Sequence, residues 1–255
     1  MVVTAGVCAV ALGAGAAHAT AGTAWSTSGT AGVELEWSGT RAVPGALTLT
    51  GDRGGRTTVF SGLNRGGWGV PAAGAIVAVR DLDRDGEPEL LADLVRRGER
   101  GARRTLVARW VPAEGRHRLT THDWGAAEYR LRDINGDRRP EFVTRDVRLA
   151  GFPGSSAARL PVRIWRFDGG EMVDVTRAFR RQVRADMAGH WAAISAAERR
   201  GGSPRAAIAA YVATAHLMGR PDPAWARVRA RHTGPGAERF FTALQRRLVT
   251  LGYAT

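Results

Sequence analysis

The chain has 255 residues, of which 44% are hydrophobic and 24% charged, a composition that excludes wholesale disorder and allows one large domain or two small ones. Its 37 basic residues are all arginine and stand against 24 acidic residues, which gives a net charge of +13. A basic set made only of arginine is as typical of a GC-rich genome as of binding to an anionic partner, so the charge alone selects neither.

The first segment is uncharged, rich in Ala, Val and Gly, and ends in Ala17-His18-Ala19, an A-x-A pattern typical of signal peptidase cleavage. We therefore predict a signal peptide over residues 1–19 and a secreted or cell-surface protein, although no basic residue precedes the apolar run. The run is too short to span a bilayer comfortably, and we expect no transmembrane span. Cys8 is the only cysteine and lies in this segment, so we expect neither a disulfide nor a cysteine metal site.

Residues 20–175 contain short runs rich in Val, Ile, Tyr and Trp, bounded by Gly, Asp and Pro, which predict antiparallel strands in a β-rich domain. Comparing this region with itself gives a repeat of about 52–55 residues. Residues 75–80 correspond to 127–132, and residues 107–110 correspond to 162–165. Residues 33–62 contain similar runs and are a candidate for a third, degenerate unit.

Each repeat contains an acidic segment of nine residues. The first acidic loop is residues 81–89 (DLDRDGEPE), and the second acidic loop is residues 133–141 (DINGDRRPE). Carboxylates at alternate positions of a tight turn can converge on a cation, and calcium takes six to eight oxygen ligands. An EF-hand would need a Glu at position 12 followed by a helix, whereas position 12 is Ala92 or Thr144 and the flanking runs predict strands.

A strand, the pattern D-x-D-x-D-G-x-x-[DE] and a second strand, recurring at this period, resemble the FG-GAP/VCBS repeats of integrin-type β-propellers and many secreted bacterial proteins. The resemblance covers roughly residues 70–176 and implies one calcium ion in each hairpin loop. The first ion would be held by Asp81, Asp83, Asp85, Glu89 and the carbonyl of Glu87. The second would be held by Asp133, Asn135, Asp137, Glu141 and the carbonyl of Arg139.

The second loop departs from the family pattern at Arg138, where glycine is expected. A non-glycine residue held at positive φ costs on the order of 1 kcal/mol. Two clear units do not make a closed propeller, so we expect a small stack of sheets rather than a ring.

The apolar period becomes helical after Thr176, and residues 176–255 predict a basic helical bundle. Ser203 and Pro204 are suited to the N-cap and first position of one of its helices. The region holds fourteen arginines against four acidic residues. The predicted fold class is therefore α+β, with sheet repeats followed by helices.

These patterns favour an exported, non-enzymatic calcium-binding protein that contacts an anionic cell-envelope polymer or an extracellular protein. Export makes nucleic acid a less expected partner for the arginines. The rival interpretation is a secreted hydrolase with structural calcium, in which Asp123, Glu128 and Asp146 supply the acid and base. Their spacing does not select them over ordinary surface acids, and no nucleophile-elbow, Walker or dinucleotide motif occurs. A scaffold domain of a larger assembly remains a third alternative.

Overall fold

The computed structural model describes residues 5–6, 21–72, 76–96, 98, 101–152 and 160–254. The predicted signal peptide, with Cys8, lies outside the described residues except for the two-residue strand at Ala5–Gly6.

The first sheet is an antiparallel meander in which alternate side chains point into the core. In β3 the buried residues Val33, Leu35 and Trp37 alternate with exposed ones, which is the period of a half-buried strand. Residues 33–62, the candidate for a degenerate unit, contribute strands to this sheet. The strands, in spatial order, are β1 (Ala5–Gly6), β2 (Ala21–Ser28), β3 (Ala31–Gly39), β4 (Pro44–Arg53) and β5 (Arg56–Phe60).

Two further antiparallel sheets contain the acidic loops. The second sheet comprises β6 (Trp68–Gly69), β7 (Val77–Arg80), β8 (Glu89–Arg96), β9 (Arg103–Val111) and β10 (Arg116–Gly125). The third comprises β11 (Arg130–Arg132), β12 (Glu141–Arg145), β13 (Val162–Asp168) and β14 (Glu171–Asp174) in chain order. The first acidic loop connects β7 to β8, and the second connects β11 to β12. Both are therefore flanked by strands, as predicted.

The register of the strands corrects one part of the alignment between the two sequence repeats. In the second sheet Leu90 pairs with Ala108, and in the third Phe142 pairs with Trp165. One step further along each ladder, Arg109 lies opposite Glu89 and Arg166 lies opposite Glu141. The alignment of residues 107–110 with 162–165 was therefore wrong by two positions. The β9–β10 connection has four residues and the β13–β14 connection only two, so anchoring on the turn glycines shifted the strands.

Four helices follow the strands and confirm the predicted helical region. They are α1 (Arg180–Arg199), α2 (Arg205–Leu217), α3 (Pro221–Arg231) and α4 (Ala237–Thr250). Helix α2 is almost wholly buried, which its run of Ala, Val and Ile explains. Its N-cap lies one residue later than predicted, at Pro204 instead of Ser203, so the helix begins at Arg205. The Ser203 hydroxyl accepts a hydrogen bond from the Arg205 amide at 3.5 Å. No helix within the described ranges is long and apolar enough to cross a membrane.

The chain divides into two compact units. The sheet unit comprises Met1–Glu141 and Arg166–Val173, and the helix unit comprises Phe142–Trp165 and Asp174–Thr255. In the sheet unit one apolar cluster is shared by the first two sheets and includes Leu35, Leu49 and Leu90. This core anchors β8, the strand whose first residue closes the first acidic loop. Antiparallel sheets together with four C-terminal helices agree with the α+β class.

Candidate metal centre

The first acidic loop is folded around its own carboxylates, which accept hydrogen bonds from its backbone amides. The Asp81 carboxylate, at position 1, accepts from the amides of positions 4 and 6 at 2.7 and 3.2 Å. Asp83 accepts from the amide of position 5 at 3.2 Å, and Asp85 accepts from that of position 7 at 2.8 Å. Asp side chains that bond to amides a few residues ahead hold the chain in a turn.

Two residues of each loop adopt the left-handed backbone conformation, at positions 4 and 6. In the first loop they are Arg84 (φ 64°) and Gly86 (φ 89°). In the second they are Gly136 (φ 80°) and Arg138 (φ 66°). Arg138 thus adopts the conformation for which glycine was expected. Sequence reasoning missed that Arg84 does the same, because the family pattern specifies a glycine at one of the two positions only.

Glu89, at position 9, closes the first loop from the start of β8 and is fully buried. Its Oε2 accepts a hydrogen bond from the amide of Leu82 at 2.8 Å, whereas its Oε1 is buried without any hydrogen-bond partner. One carboxylate oxygen each from Asp81, Asp83 and Glu89 can be chosen so that all three lie within 4.8 Å of one another. Burial, with the nearby charges of Asp83, Asp85 and Asp81, raises the pKa of Glu89 to about 8.

This donor set fits a hard divalent cation. Oxygens bound to one calcium at 2.3–2.6 Å lie at most about 5 Å apart, and the Asp81–Asp83–Glu89 group meets that limit. Burial and the negative charge of Asp85 raise the pKa of Asp83 above its ordinary value. A buried oxygen without a partner and carboxylates with raised pKa values are both energetically unfavourable when charged. A bound cation would remove that cost.

Two other predicted ligands of the first loop have arginine partners. Arg109 donates from Nη2 to Asp85 Oδ2 at 2.9 Å, and its Nε lies 3.6 Å from Asp83 Oδ2. Burial is the largest single influence on the pKa of Asp85 and acts to raise it, but the hydrogen bonds from Arg109 and from the amide of Glu87, together with the charge of Arg109, outweigh burial and lower the pKa. The Glu87 carboxylate forms a two-point ion pair with Arg53 at 2.6 and 2.7 Å, so its side chain is directed away from the group. Its carbonyl stays a predicted ligand.

The second acidic loop repeats the hydrogen bonds of the first, position by position. In both loops the amides of positions 4 and 6 donate to the side chain of position 1. The amides of positions 5, 7 and 2 donate to the side chains of positions 3, 5 and 9, respectively. In the second loop they are Gly136 to Asp133 (2.7 Å), Arg138 to Asp133 (2.8 Å), Asp137 to Asn135 (3.3 Å), Arg139 to Asp137 (2.8 Å) and Ile134 to Glu141 (3.0 Å). Glu141, like Glu89, is fully buried.

The loops differ in what meets the closing carboxylate. Glu141 Oε1 accepts hydrogen bonds from Nε of Arg166, at 2.7 Å, and from its Nη2. The same Nη2 donates to Asp137 Oδ2 at 2.6 Å. The hydrogen bond from Asn135 and the contact with Arg166 lower the pKa of Asp137 to about 2. Sequence reasoning missed both Arg109 and Arg166, because only the pairing of strands shows which residue faces position 9.

The acids of the rival hydrolase interpretation all have arginine partners. Asp123 forms a two-point ion pair with Arg104 at 2.5 and 2.8 Å, and Glu128 pairs with Arg103 at 2.6 Å. Asp146 is buried and accepts from Arg148 and from the Tyr253 hydroxyl, at 2.6 and 2.7 Å. Each of the three acids is therefore held by an ion pair, a hydrogen bond or both.

A fourth acid, Asp93, was not predicted from the sequence as a candidate site residue. Asp93 lines a cavity of about 420 Å³ in the sheet unit and accepts hydrogen bonds from Thr105 and Tyr129 at 2.5 and 3.0 Å. Burial raises its pKa. Asp93 lies within β8 and belongs to no motif, so the sequence carried no signal for it.

In the comparisons with known proteins, the matched segment lies in the helical region. A family described as the sll0997 C-terminal domain matches residues 183–252, less than a third of the chain. No curated protein and no solved structure matches. The matched segment runs from α1 through α4 and lies outside both acidic loops.

Proposed function

We propose that the protein is an exported, non-enzymatic calcium-binding protein of FG-GAP/VCBS type whose first acidic loop holds a calcium ion. The observation that carries this proposal is Glu89, whose buried Oε1 has no partner while oxygens of Asp81 and Asp83 lie close by. A buried carboxylate oxygen left without a partner is strongly unfavourable, and a divalent cation would satisfy it.

Calcium at this point would rigidify the sheet unit. Asp81 and Asp83 belong to the loop, whereas Glu89 begins β8, which is anchored in the apolar core. An ion bound to all three would fasten the loop to the sheet. The sequence contains a single cysteine, so no internal disulfide can supply that link.

Calorimetric titration of the full chain with Ca²⁺ tests the proposal. We expect saturable binding in the wild type, its loss in Asp81→Asn, and its retention in Asp123→Asn. The control also removes one carboxylate charge, but from an acid paired with Arg104 outside the loop. The absence of calcium binding in the folded wild type, or equal binding in Asp81→Asn, would contradict the proposal.

The exposed arginines of the helix unit support the proposal of an anionic partner. Arg180, Arg181 and Arg184 are exposed at the start of α1, whose first turn contains no acidic residue. Cations at a helix N-terminus oppose the helix dipole, and like charges four residues apart repel each other. Helix stability does not account for this arrangement, whereas attraction to an anionic surface does. The proposed partner is an anionic cell-envelope polymer, with an extracellular acidic protein as the alternative.

Co-sedimentation with purified cell wall at increasing salt tests this contact. We expect binding that weakens with salt and falls most when Arg180, Arg181 and Arg184 are all changed to Gln. The matched control changes three exposed arginines elsewhere in the helix unit, Arg220, Arg239 and Arg246, and removes the same charge. Binding insensitive to salt, or an equal loss in both triple variants, would exclude a contact made by the start of α1.

A further inference from the structure

The two acidic loops carry different charges on the same backbone scaffold. The first contains five carboxylates and one arginine and has a net charge of −4. The second contains three carboxylates and two arginines and has a net charge of −1. The five hydrogen bonds from backbone amides to side chains are common to both loops. The difference in charge therefore comes from the other side chains of each loop and from the residue that faces position 9.

The facing residue is an arginine in each case. Arg166 brings the second loop to neutrality, whereas Arg109 leaves the first at −3. The Arg166 guanidinium bridges Glu141 Oε1 and Asp137 Oδ2, the carboxylates of positions 9 and 5. Its side chain is only 18% exposed, so the pair is shielded from solvent. A planar guanidinium with two donors directed at carboxylates forms strong charge-assisted hydrogen bonds and places a positive charge beside them.

We propose that Arg166 is the resident cation of the second acidic loop and excludes a metal ion from it. The chain then binds one calcium ion, not the two that the FG-GAP/VCBS resemblance implies. This inference rests on the proposed function in one respect, namely that the first loop is the one that binds calcium.

Position 3 explains why Arg109 does not close the first loop in the same way. It is Asp83 in the first loop and Asn135 in the second. Arg109 lies against the carboxylates of Asp83 and Asp85 and leaves Glu89 Oε1 without a partner. In the second loop Asn135 is neutral and donates to Asp137 Oδ2 at 2.8 Å, which leaves Arg166 to bind Asp137 and Glu141.

Arg109 therefore competes with calcium for Asp83 and Asp85, two of the predicted calcium ligands. We expect Arg109→Gln to tighten calcium binding several-fold, while the number of ions bound stays at one. Weaker binding in a folded Arg109→Gln protein would show that Arg109 assists the site instead of competing with the ion.

Calorimetric titration with Ca²⁺ alone, on the full chain, tests the role of Arg166 through stoichiometry. We expect one ion per chain in the wild type and in Asp133→Asn, and two ions in Arg166→Gln. The matched control is Arg139→Gln, which removes an arginine from the same loop. Arg139 pairs with Asp168 and not with Glu141, so one ion is expected. Circular dichroism verifies that each variant is folded.

Two outcomes overturn the proposal: a folded Arg166→Gln protein that still binds one ion, or a wild type that loses an ion on Asp133→Asn. If Arg166→Gln does not fold, Asp133→Asn decides alone. A failure of the proposed function gives a different result. In that case the wild type binds no calcium, while Arg166→Gln binds one ion that Asp133→Asn then removes.

Discussion

The two acidic loops are built on one backbone design but neutralise their charge differently. In both, Asp and Asn side chains hold the turn and a buried glutamate accepts from the amide of position 2. In the second loop an arginine from the facing strand satisfies the glutamate, and in the first the equivalent arginine lies against other carboxylates. The comparison teaches that one loop motif fixes a common scaffold, whereas the facing strand determines which carboxylates the facing arginine satisfies.

The closing glutamates give the largest expected contrast. Glu141→Gln should lower the free energy of unfolding by up to about 3–5 kcal/mol, because it removes the fully buried one of the two carboxylates paired with Arg166 and leaves Asp137 alone to balance its charge. Glu89→Gln should cost little in EDTA, since an amide oxygen keeps the bond from Leu82 and the repulsion from the loop carboxylates falls. Urea unfolding in EDTA measures both. Equal losses in the two variants would show that the closing glutamates are equivalent.

Calcium removal should act through the first loop alone. Ligand at one hundred times its dissociation constant stabilises a protein by about 2.7 kcal/mol, and EDTA should remove that gain from the wild type. The calcium gain should disappear in Asp81→Asn and persist in Asp133→Asn. Urea unfolding with and without calcium measures the difference, and a gain that depends on Asp133 would reverse the assignment of the loops.

The pH dependence of the calcium-free protein should report Glu89. Its folded-state pKa, about 8, exceeds the ordinary glutamate value, so the folded state holds a proton that the unfolded state releases. Stability in EDTA should therefore fall as the pH rises from about 4.5 towards 8, by at most about 1.4 kcal/mol per pH unit. Unfolding midpoints across this range should lose that component in Glu89→Gln. An unchanged slope in the variant would assign the effect to other groups.

The left-handed arginines give the smallest expected contrast. Arg84→Gly and Arg138→Gly each relieve an unfavourable backbone conformation, a gain of about 1 kcal/mol at most, reduced by the entropy of glycine in the unfolded chain. The gain should be smaller at Arg84, whose Nη1 donates to the carbonyl of Asp137 at 3.2 Å. Thermal unfolding compares the two, and a loss of stability at Arg138 would show that its side chain contributes more than its strain costs.

Much of this architecture could be predicted because the relevant signals are local. The alternation of apolar residues predicted strands on both sides of each loop, and the residue at position 12 excluded an EF-hand. The helical apolar period after Thr176 predicted the C-terminal helices, and Val183 and Ile194 of α1 are buried. Pattern alone misplaced the cap of α2 by one residue and the alignment of β9 with β13 by two. Helix starts and turn lengths depend on packing as well as on residue type.

The sequence by itself determined the two acidic loops, the positions of the oxygen-bearing side chains within them and the α+β order of elements. Each of these follows from residues a few positions apart, whose mutual geometry is set by backbone periodicity. Only the tertiary structure decided that Glu89 and Glu141 are both buried and that Arg166 satisfies one while Arg109 leaves the other without a partner. That outcome depends on the pairing of β8 with β9 and of β12 with β13, because a ladder brings together residues that are distant in the chain.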